Sequence, residues 1–411
     1  MTLKKSRDLL FFAATVLITG VLILGLCKIF LQFSLSAGDD VITKEFDGDL
    51  GWRLKPGSYA IKAPLSFTKV KLYHNPYGLR SKAPDFIPSK TAKRIIVLGD
   101  SYTYAKRFPF EQTFTSLLEK ELNARDGKEV EVLNAGVPGF GTAQELLLKR
   151  RLRKVYGLKA GVYVLAVFTN DILDNLCLSY GQQQKELIRP CYKLDSAGKL
   201  FLENKPINAP YAFSDTLRPI EQKGKKKGLL KIFKQQLQQY IQPFFQTRPD
   251  LVRWLVRHGL KISLPRKPGI LNGWYEDPIL AEGGPLTKAL METLRDEVRG
   301  EGAELLVMMI PSPFQIYTEA YKPILETAGV APAAVKAWED DVLRPQKTVE
   351  KMCGELGLKF LDLYPLFPST KANWFIPGDG HFTAAAHRVV AQALADFLEN
   401  PAPTAPQVLP Q

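Results

Sequence analysis

The chain has 411 residues, 45% hydrophobic and 24% charged, an ordinary globular composition with room for one large domain with insertions or for two domains. Its formal net charge of +13 brings nucleic acid or an anionic membrane surface into consideration. No zinc-ligand spacing, phosphate-binding loop or dense Arg/aromatic stripe accompanies that charge, which sets nucleic acid aside.

Residues 1–8 form a basic tail containing Lys4, Lys5 and Arg7. The uncharged run Leu9 to Leu26 follows, and apolar character resumes after Lys28 as far as Phe33. A run of that length crosses a bilayer core as a helix, so residues 9–33 are predicted to be a transmembrane anchor. The preceding cations keep the tail cytoplasmic and send the rest across the cytoplasmic membrane to its extracytoplasmic, periplasmic side. The alternative is a signal peptide cut near Ser34–Ala37, although its apolar region is usually shorter than this one. Cys27 is not a lipidation site, because Leu26 before it is too large for the usual processing. Residues 37–90 read as short strands and turns, an N-terminal extracytoplasmic module.

A repeating strand–helix pattern begins near residue 91. Arg94–Leu98 is a predicted strand and Glu111–Arg125 a helix with Phe114, Leu117, Leu118 and Leu122 on one face. Val130–Leu133, the helix Thr142–Tyr156 and the apolar strand Gly161–Phe168 continue it, as expected of strands covered on both faces. Residues 174–284 interrupt the pattern with a polar, basic insertion that includes Lys223–Gly228. Within it Leu230, Phe233, Leu237, Ile241 and Phe244 fall at helical spacing. That helix packs on the main domain, lies on an anionic bilayer, or covers the active site. Cys177 and Cys191 are close in sequence in a compartment that permits oxidation; they either pair or stay free thiols. Cys353 reads as a small buried hydrophobe.

The alternation resumes over 285–398, with helix Thr287–Arg299, strand Glu304–Ile310, a helix within Val335–Leu356 broken near Pro345, strand Lys359–Leu363 and helix Ala384–Leu398. Residues 399–411 are Pro-rich and expected to be disordered. Five strands alternating with helices predict an α/β fold with a doubly wound parallel sheet.

In such a sheet ligands bind beyond the carboxyl ends of the strands. There the sequence delivers Gly99-Asp100-Ser101, then Asn134 to Gly141, then Thr169-Asn170-Asp171, and finally Asp379-Gly380-His381. Ser101 is the candidate nucleophile, His381 the base that removes its proton, and Asp379 the group that orients the imidazole. The backbone N–H of Ser101, the backbone N–H of Gly139 and the side-chain amide of Asn170 are candidate donors to a developing oxyanion. Gly139 is read as a glycine because a side chain there would crowd the approaching carbonyl. Bland readings stand beside these: a helix cap for Ser101, a structural histidine for His381. His387 is a rival base inside the closing helix, and Asp362 a rival for Asp379. His74 and His258 are read as surface or packing residues, and Asp100 and Asp171 as turn-shaping carboxylates.

These four blocks, in this order over Arg94 to Leu398, resemble those of the SGNH hydrolases, or GDSL-like esterases. The resemblance implies a flavodoxin-like sheet and ester hydrolysis or acyl transfer with no metal and no other cofactor. Two positions depart from it. Phe168 stands where many members carry glycine, two residues before the asparagine, and Asp379-Gly380-His381 is tighter than the usual Asp-x-x-His. The tighter spacing, followed by Phe382-Thr383, is similar to membrane-associated relatives that acetylate exopolysaccharides, and it points toward carbohydrate O-acyl chemistry. The reading is therefore a membrane-anchored esterase or O-acyltransferase with an acyl ester or carbohydrate as substrate. The alternatives are a catalytically idle glycan-binding or assembly scaffold and a lipase acting on membrane lipid. Nothing in the sequence bears on oligomeric state.

Overall fold

The computed structural model describes Thr15, Thr19, Gly20 and residues 43–62, 69–89, 93–126, 129–178, 189–204, 273–327, 330, 332–370, 374–376 and 379–400. The expected anchor at 9–33, apart from Thr15, Thr19 and Gly20, lies outside them. So do the amphipathic stretch at 230–244, His258 and residues 401–411. Among the described residues no helix is long and apolar enough to cross a membrane.

Twelve strands are described. β1 (Lys44–Asp47) and β2 (Gly51–Leu54) form a separate hairpin, as do β9 (Tyr192–Leu194) and β10 (Leu200–Leu202). The other eight are β3 (Gly57–Lys62), β4 (Lys69–His74), β5 (Arg80–Ser81), β6 (Lys93–Gly99), β7 (Val130–Gly136), β8 (Val162–Val167), β11 (Glu304–Met309) and β12 (Lys359–Asp362). They make one sheet in the order β12-β11-β8-β6-β7-β5-β4-β3. Pairing is parallel from β12 to β7 and antiparallel from β7 through β5 and β4 to β3.

The five parallel strands are those the sequence predicts. Numbered by chain position they lie in the order 2-1-3-4-5, the flavodoxin-like arrangement. The expectation of about five strands is corrected to eight, and the sheet is mixed. Arg80 of β5 pairs with Asn134 of β7, so β5, β4 and β3 extend the parallel sheet. The signal of this extension in the sequence is weak because β5, the strand that joins it to β7, has only two residues. Only one face of β4 meets the core.

The central strands are apolar throughout: Ile96, Val97 and Leu98, then Tyr163 to Val167, then Leu305 to Met309 are all buried. Helices cover both faces. On one, α2 (Phe114–Asp126) packs against α10 (Ala384–Glu399). Thr383 caps α10, whose side chain accepts from the Ala386 N–H at 3.4 Å, and Ala386, Val390, Leu394 and Phe397 form its buried stripe. On the other lie α3 (Thr142–Lys154), α5 (Asp277–Gly300) and α9 (Arg344–Leu356), the last two joined by Lys288–Glu355. After β11 come α6 (Pro313–Ile316), α7 (Thr318–Thr327) and α8 (Pro332–Asp340), and Pro345 sits in the first turn of α9, beyond the end of α8.

α5 begins ten residues before the expected Thr287, inside the stretch read as insertion. Gly283-Gly284-Pro285 looks like a helix breaker, but the helix runs through it. A Cβ at Gly283 would lie 2.6 Å from Ile172 Cγ1, so the glycine lets α5 approach the short helix α4 (Asp171–Asn175).

Candidate active site

β6 ends at Gly99 between β7 and β8, the point where the strand order reverses and a crevice opens. Asp100 caps the next turn, its carboxylate accepting the Tyr102 N–H at 2.8 Å, and Ser101 opens the four-residue helix α1 (Ser101–Tyr104). The opening residue is thereby held on the rim while Tyr102, Thr103 and Tyr104 are buried beneath it. This turn is packed very tightly. A Cβ at Gly136, the last residue of β7, would lie 2.3 Å from the Tyr104 backbone nitrogen. Only glycine lets the adjacent strand end pass so close to α1.

The last block reaches the same point from 280 residues away. The Phe375–Phe382 bridge closes its loop, and the Ile376 N–H donates to the His381 carbonyl at 2.7 Å. The Ser101 hydroxyl donates to His381 Nε2 at 2.7 Å, and His381 Nδ1–H donates to Asp379 Oδ1 at 2.5 Å. The structure thus brings Ser101, His381 and Asp379 into one hydrogen-bonded row. His381 is 33% exposed, whereas Asp379 is largely buried. Burial alone would raise the Asp379 carboxyl. The hydrogen bond and charge of His381, together with the Arg107 guanidinium, outweigh it and hold the carboxyl well below the usual carboxylate range. Arg107 reaches Asp379 Oδ2 through Nε at 2.9 Å and Nη2 at 2.5 Å, leaving Oδ1 for the histidine.

Rival residues fall away on their contacts. His387 is 1% exposed, accepts the Phe114 N–H at 3.3 Å through Nδ1 and packs against Phe108, Phe114 and Phe382. Burial pushes its pKa down to about 3, so it is a neutral core histidine. His74, also buried, spans the Lys55 carbonyl and the Tyr104 hydroxyl at 2.8 Å each. Asp362 accepts the Tyr364 N–H at 2.9 Å and shapes that turn.

Two of the three proposed oxyanion donors, Gly139 and Asn170, follow the strands that flank β6, and the third, Ser101, follows β6 itself. The Val137 N–H donates to the Gly99 carbonyl at 2.9 Å, which fastens the loop after β7 beside the nucleophile turn. Val137-Pro138-Gly139-Phe140 is a β-turn closed by Phe140 N–H to Val137 O at 3.0 Å, with Gly139 at φ +85°. Pro at the second place and a positive φ at the third describe a type II turn. The need for glycine at 139 is therefore backbone conformation, with the Trp52 ring 3.4 Å from where a Cβ would stand. The expected reason, crowding of the substrate carbonyl, is replaced by that one. The Gly139 N–H has no protein acceptor among the described residues.

Asn170 follows β8, and its amide donates to Asp174 Oδ2 at 2.6 Å. An amide carries two protons, so one remains for a ligand. Phe168, the departure from the family pattern, is buried with its ring 4.2 Å from that of Tyr102. Tyr102 in turn lies 5.0 Å from the His381 ring, and its hydroxyl donates to the Gly380 carbonyl at 2.5 Å. The large side chain thus braces the tyrosine that ties α1 to the last block.

Four carboxyls, Asp100, Glu145, Asp171 and Asp174, interact behind the nucleophile turn. Burial and their mutual repulsion raise Glu145 and Asp171 well above the ordinary range, and burial pushes Asp100 up to about 6. Among the described residues no group of three or more His, Cys, Asp or Glu side chains is arranged to hold a metal ion.

Sequence reasoning missed Arg107, Tyr102, Trp52 and Arg189. Each acts across a long chain separation, such as the 272 residues between Arg107 and Asp379, and no local spacing announces it.

No family model and no curated protein matches the chain. Solved structures do. TesA is 13% identical, with 75% of this chain and 99% of that one covered at a TM-score of 0.36. A lipase/acylhydrolase from Enterococcus faecalis is 15% identical, covering 77% and 100% at 0.35. The acetyl xylan esterase AlAXEase is 11% identical, covering 74% and 98% at 0.34. Likeness at that distance decides nothing about this chain's reaction.

Proposed function

We propose that the chain is a serine esterase or O-acyltransferase that moves an acyl group from an ester onto Ser101 and then to water or a sugar hydroxyl. The observation that carries this reading is the row Ser101–His381–Asp379, with hydrogen bonds of 2.7 and 2.5 Å. As Ser101 Oγ bonds to the acyl carbon, His381 Nε2 takes its proton, and the ester oxygen leaves with that proton. Asp379 balances the imidazolium, and the N–H groups of Ser101, Gly139 and Asn170 meet the negative charge on the carbonyl oxygen. In the second half an acceptor hydroxyl gives its proton to His381 as its oxygen bonds to the acyl carbon, the bond to Ser101 Oγ breaks, and His381 returns the proton to Oγ.

The site is read as working outside the cytoplasmic membrane, held there by residues 9–33. Two features support that: the uncharged run after a basic tail, and the Cys177–Cys191 disulfide, a bond at home in oxidising compartments. An acylated surface polysaccharide or glycoconjugate is the proposed substrate, from the tight Asp379-Gly380-His381 block.

The test is turnover of a short-chain acetyl ester by the full chain in detergent, with and without sugar acceptors. The wild type should release the alcohol, and Ser101→Ala should lose at least roughly 10³-fold in kcat while keeping its fold. Acceptor-dependent turnover identifies a transferase, acceptor-independent turnover an esterase. Equal turnover by Ser101→Ala, or none by the wild type under either condition, would reject the reading.

A further inference from the structure

Behind the loops that carry the oxyanion donors lies a guanidinium that the catalytic row does not use. Arg189 is 5% exposed, and its contacts run to both donors. Nη2 donates to the Gly139 carbonyl at 2.8 Å and pairs with Asp174 Oδ1 at 2.9 Å. Nη1 donates to the Gln144 side-chain oxygen at 2.9 Å. The second oxygen of Asp174 holds the Asn170 amide at 2.6 Å. One cation is therefore bonded directly to Gly139 and, through a single carboxylate, to Asn170.

The peptide before Gly139 is fixed from its other side. Lys44 Nζ and Trp52 Nε1, from β1 and β2, both donate to the Pro138 carbonyl at 3.2 Å. In a trans peptide the C=O and the following N–H point in opposite directions. Holding the Pro138 carbonyl therefore aims the Gly139 N–H away from Lys44 and Trp52. With both carbonyls of the turn engaged, the Gly139 amide cannot rotate freely.

A covalent bond closes the arrangement. Arg189 lies two residues before Cys191, which is joined to Cys177 with Cα atoms 6.0 Å apart. The Cys177 N–H donates to the Asp174 carbonyl at 3.1 Å, at the end of the helix that Asn170 begins. Arg189, Cys191, Cys177 and Asp174 thus make a ring, part covalent and part ionic, under both donors.

We infer that Arg189 is a positioning residue that locks Gly139 and Asn170 into one oxyanion-binding frame, and that the Cys177–Cys191 disulfide keeps it seated. This rests on the acyl-transfer reading of Ser101. Donors fixed in advance act on charge that develops during reaction, so their misplacement lowers kcat more than it raises KM. A guanidinium that merely held the fold together would lower stability without such a split.

The experiment is a double-mutant cycle on acetyl-ester turnover with wild type, Arg189→Gln, Asn170→Ala and the double variant, folding being followed by circular dichroism. Arg189→Gln should cut kcat roughly 10- to 100-fold with KM changed less than about threefold. Asn170→Ala should cost much less in the Arg189→Gln background than in the wild type. Losses that multiply independently, or an Arg189→Gln kcat within about twofold of wild type, overturn the proposal. Should Arg189→Gln fail to fold, Cys177→Ser/Cys191→Ser and mildly reduced wild type provide the same readout. A several-fold fall in kcat in folded protein, restored in the wild type by reoxidation, supports the lock, and unchanged kcat after verified reduction overturns it. Undiminished turnover by Ser101→Ala would instead overturn the acyl-transfer reading itself.

Discussion

Arg107 is the residue that makes Asp379 a one-sided partner. By occupying Oδ2 it leaves Oδ1 alone for the imidazole and prevents the carboxylate from swinging away. Replacing Arg107 with Met should lower kcat by roughly 10- to 100-fold through misorientation of His381. Steady-state kinetics should show KM little changed, because the guanidinium is engaged with the carboxylate. Residues far from the row carry a pH effect. Burial lowers His387 from 6.5 to about 3 and His74 from 6.5 to about 4, so each stays neutral while folded. Between those values and 6.5 the unfolded chain binds more protons, and stability therefore rises with pH across that window. From pH 7 to pH 5 each histidine should cost about 2 kcal/mol. Urea unfolding at the two values checks this, and His387→Gln should remove part of the slope. Ser101, His381, Asp379, Gly139 and Asn170 stand out in the sequence because each lies just after a strand or in a short dense block. Arg107 and Arg189 do not, since their partners are far off in the chain and an arginine alone carries no signature.

At the level of elements, α1 is held by what passes beside it. β7 delivers Gly136 against the α1 backbone, with room for hydrogen only, so Gly136→Ala forces α1 or β7 to move. It should destabilise by roughly 1–3 kcal/mol, the usual range for overpacking, and cut kcat with it. A thermal-unfolding scan and initial rates on the same preparation measure both. The hairpin β1–β2 is a second support: Arg151 pairs with Asp47, and the Gln144 amide donates to the Leu50 carbonyl at 2.7 Å, so the hairpin is moored to α3 while Lys44 and Trp52 grip the Pro138 carbonyl. Trp52→Ala should loosen that grip, costing about 3–5 kcal/mol from the lost packing against Phe140 and lowering kcat. The parallel strands were readable because burial on both faces makes them apolar throughout. The start of α5 was not, because glycines kept for close helix packing look in a sequence like glycines kept for turns.

Across the whole molecule, the reversal of strand order between β7-β6 and β8 opens the crevice in which residues about 280 apart meet. The antiparallel extension β5-β4-β3 widens the sheet on the β7 side and is tied through β5 to the strand that precedes the Gly139 turn. Its two-residue strand β5 gave periodicity nothing to detect, which is why the sheet exceeds its expected width. The fold thus supplies three supports to one small region: the carboxyl end of the central strand β6 under Ser101, the last loop bearing Asp379 and His381, and the braced turns around Gly139 and Asn170. The most direct measurement of whether that region performs acyl transfer is reaction of the full-length protein with a fluorophosphonate, followed by peptide mapping of the modified residue. A single adduct on Ser101, lost in Ser101→Ala and slowed in His381→Asn, is the predicted result. An adduct on another serine that abolishes turnover, or active protein that takes up no probe, would contradict it.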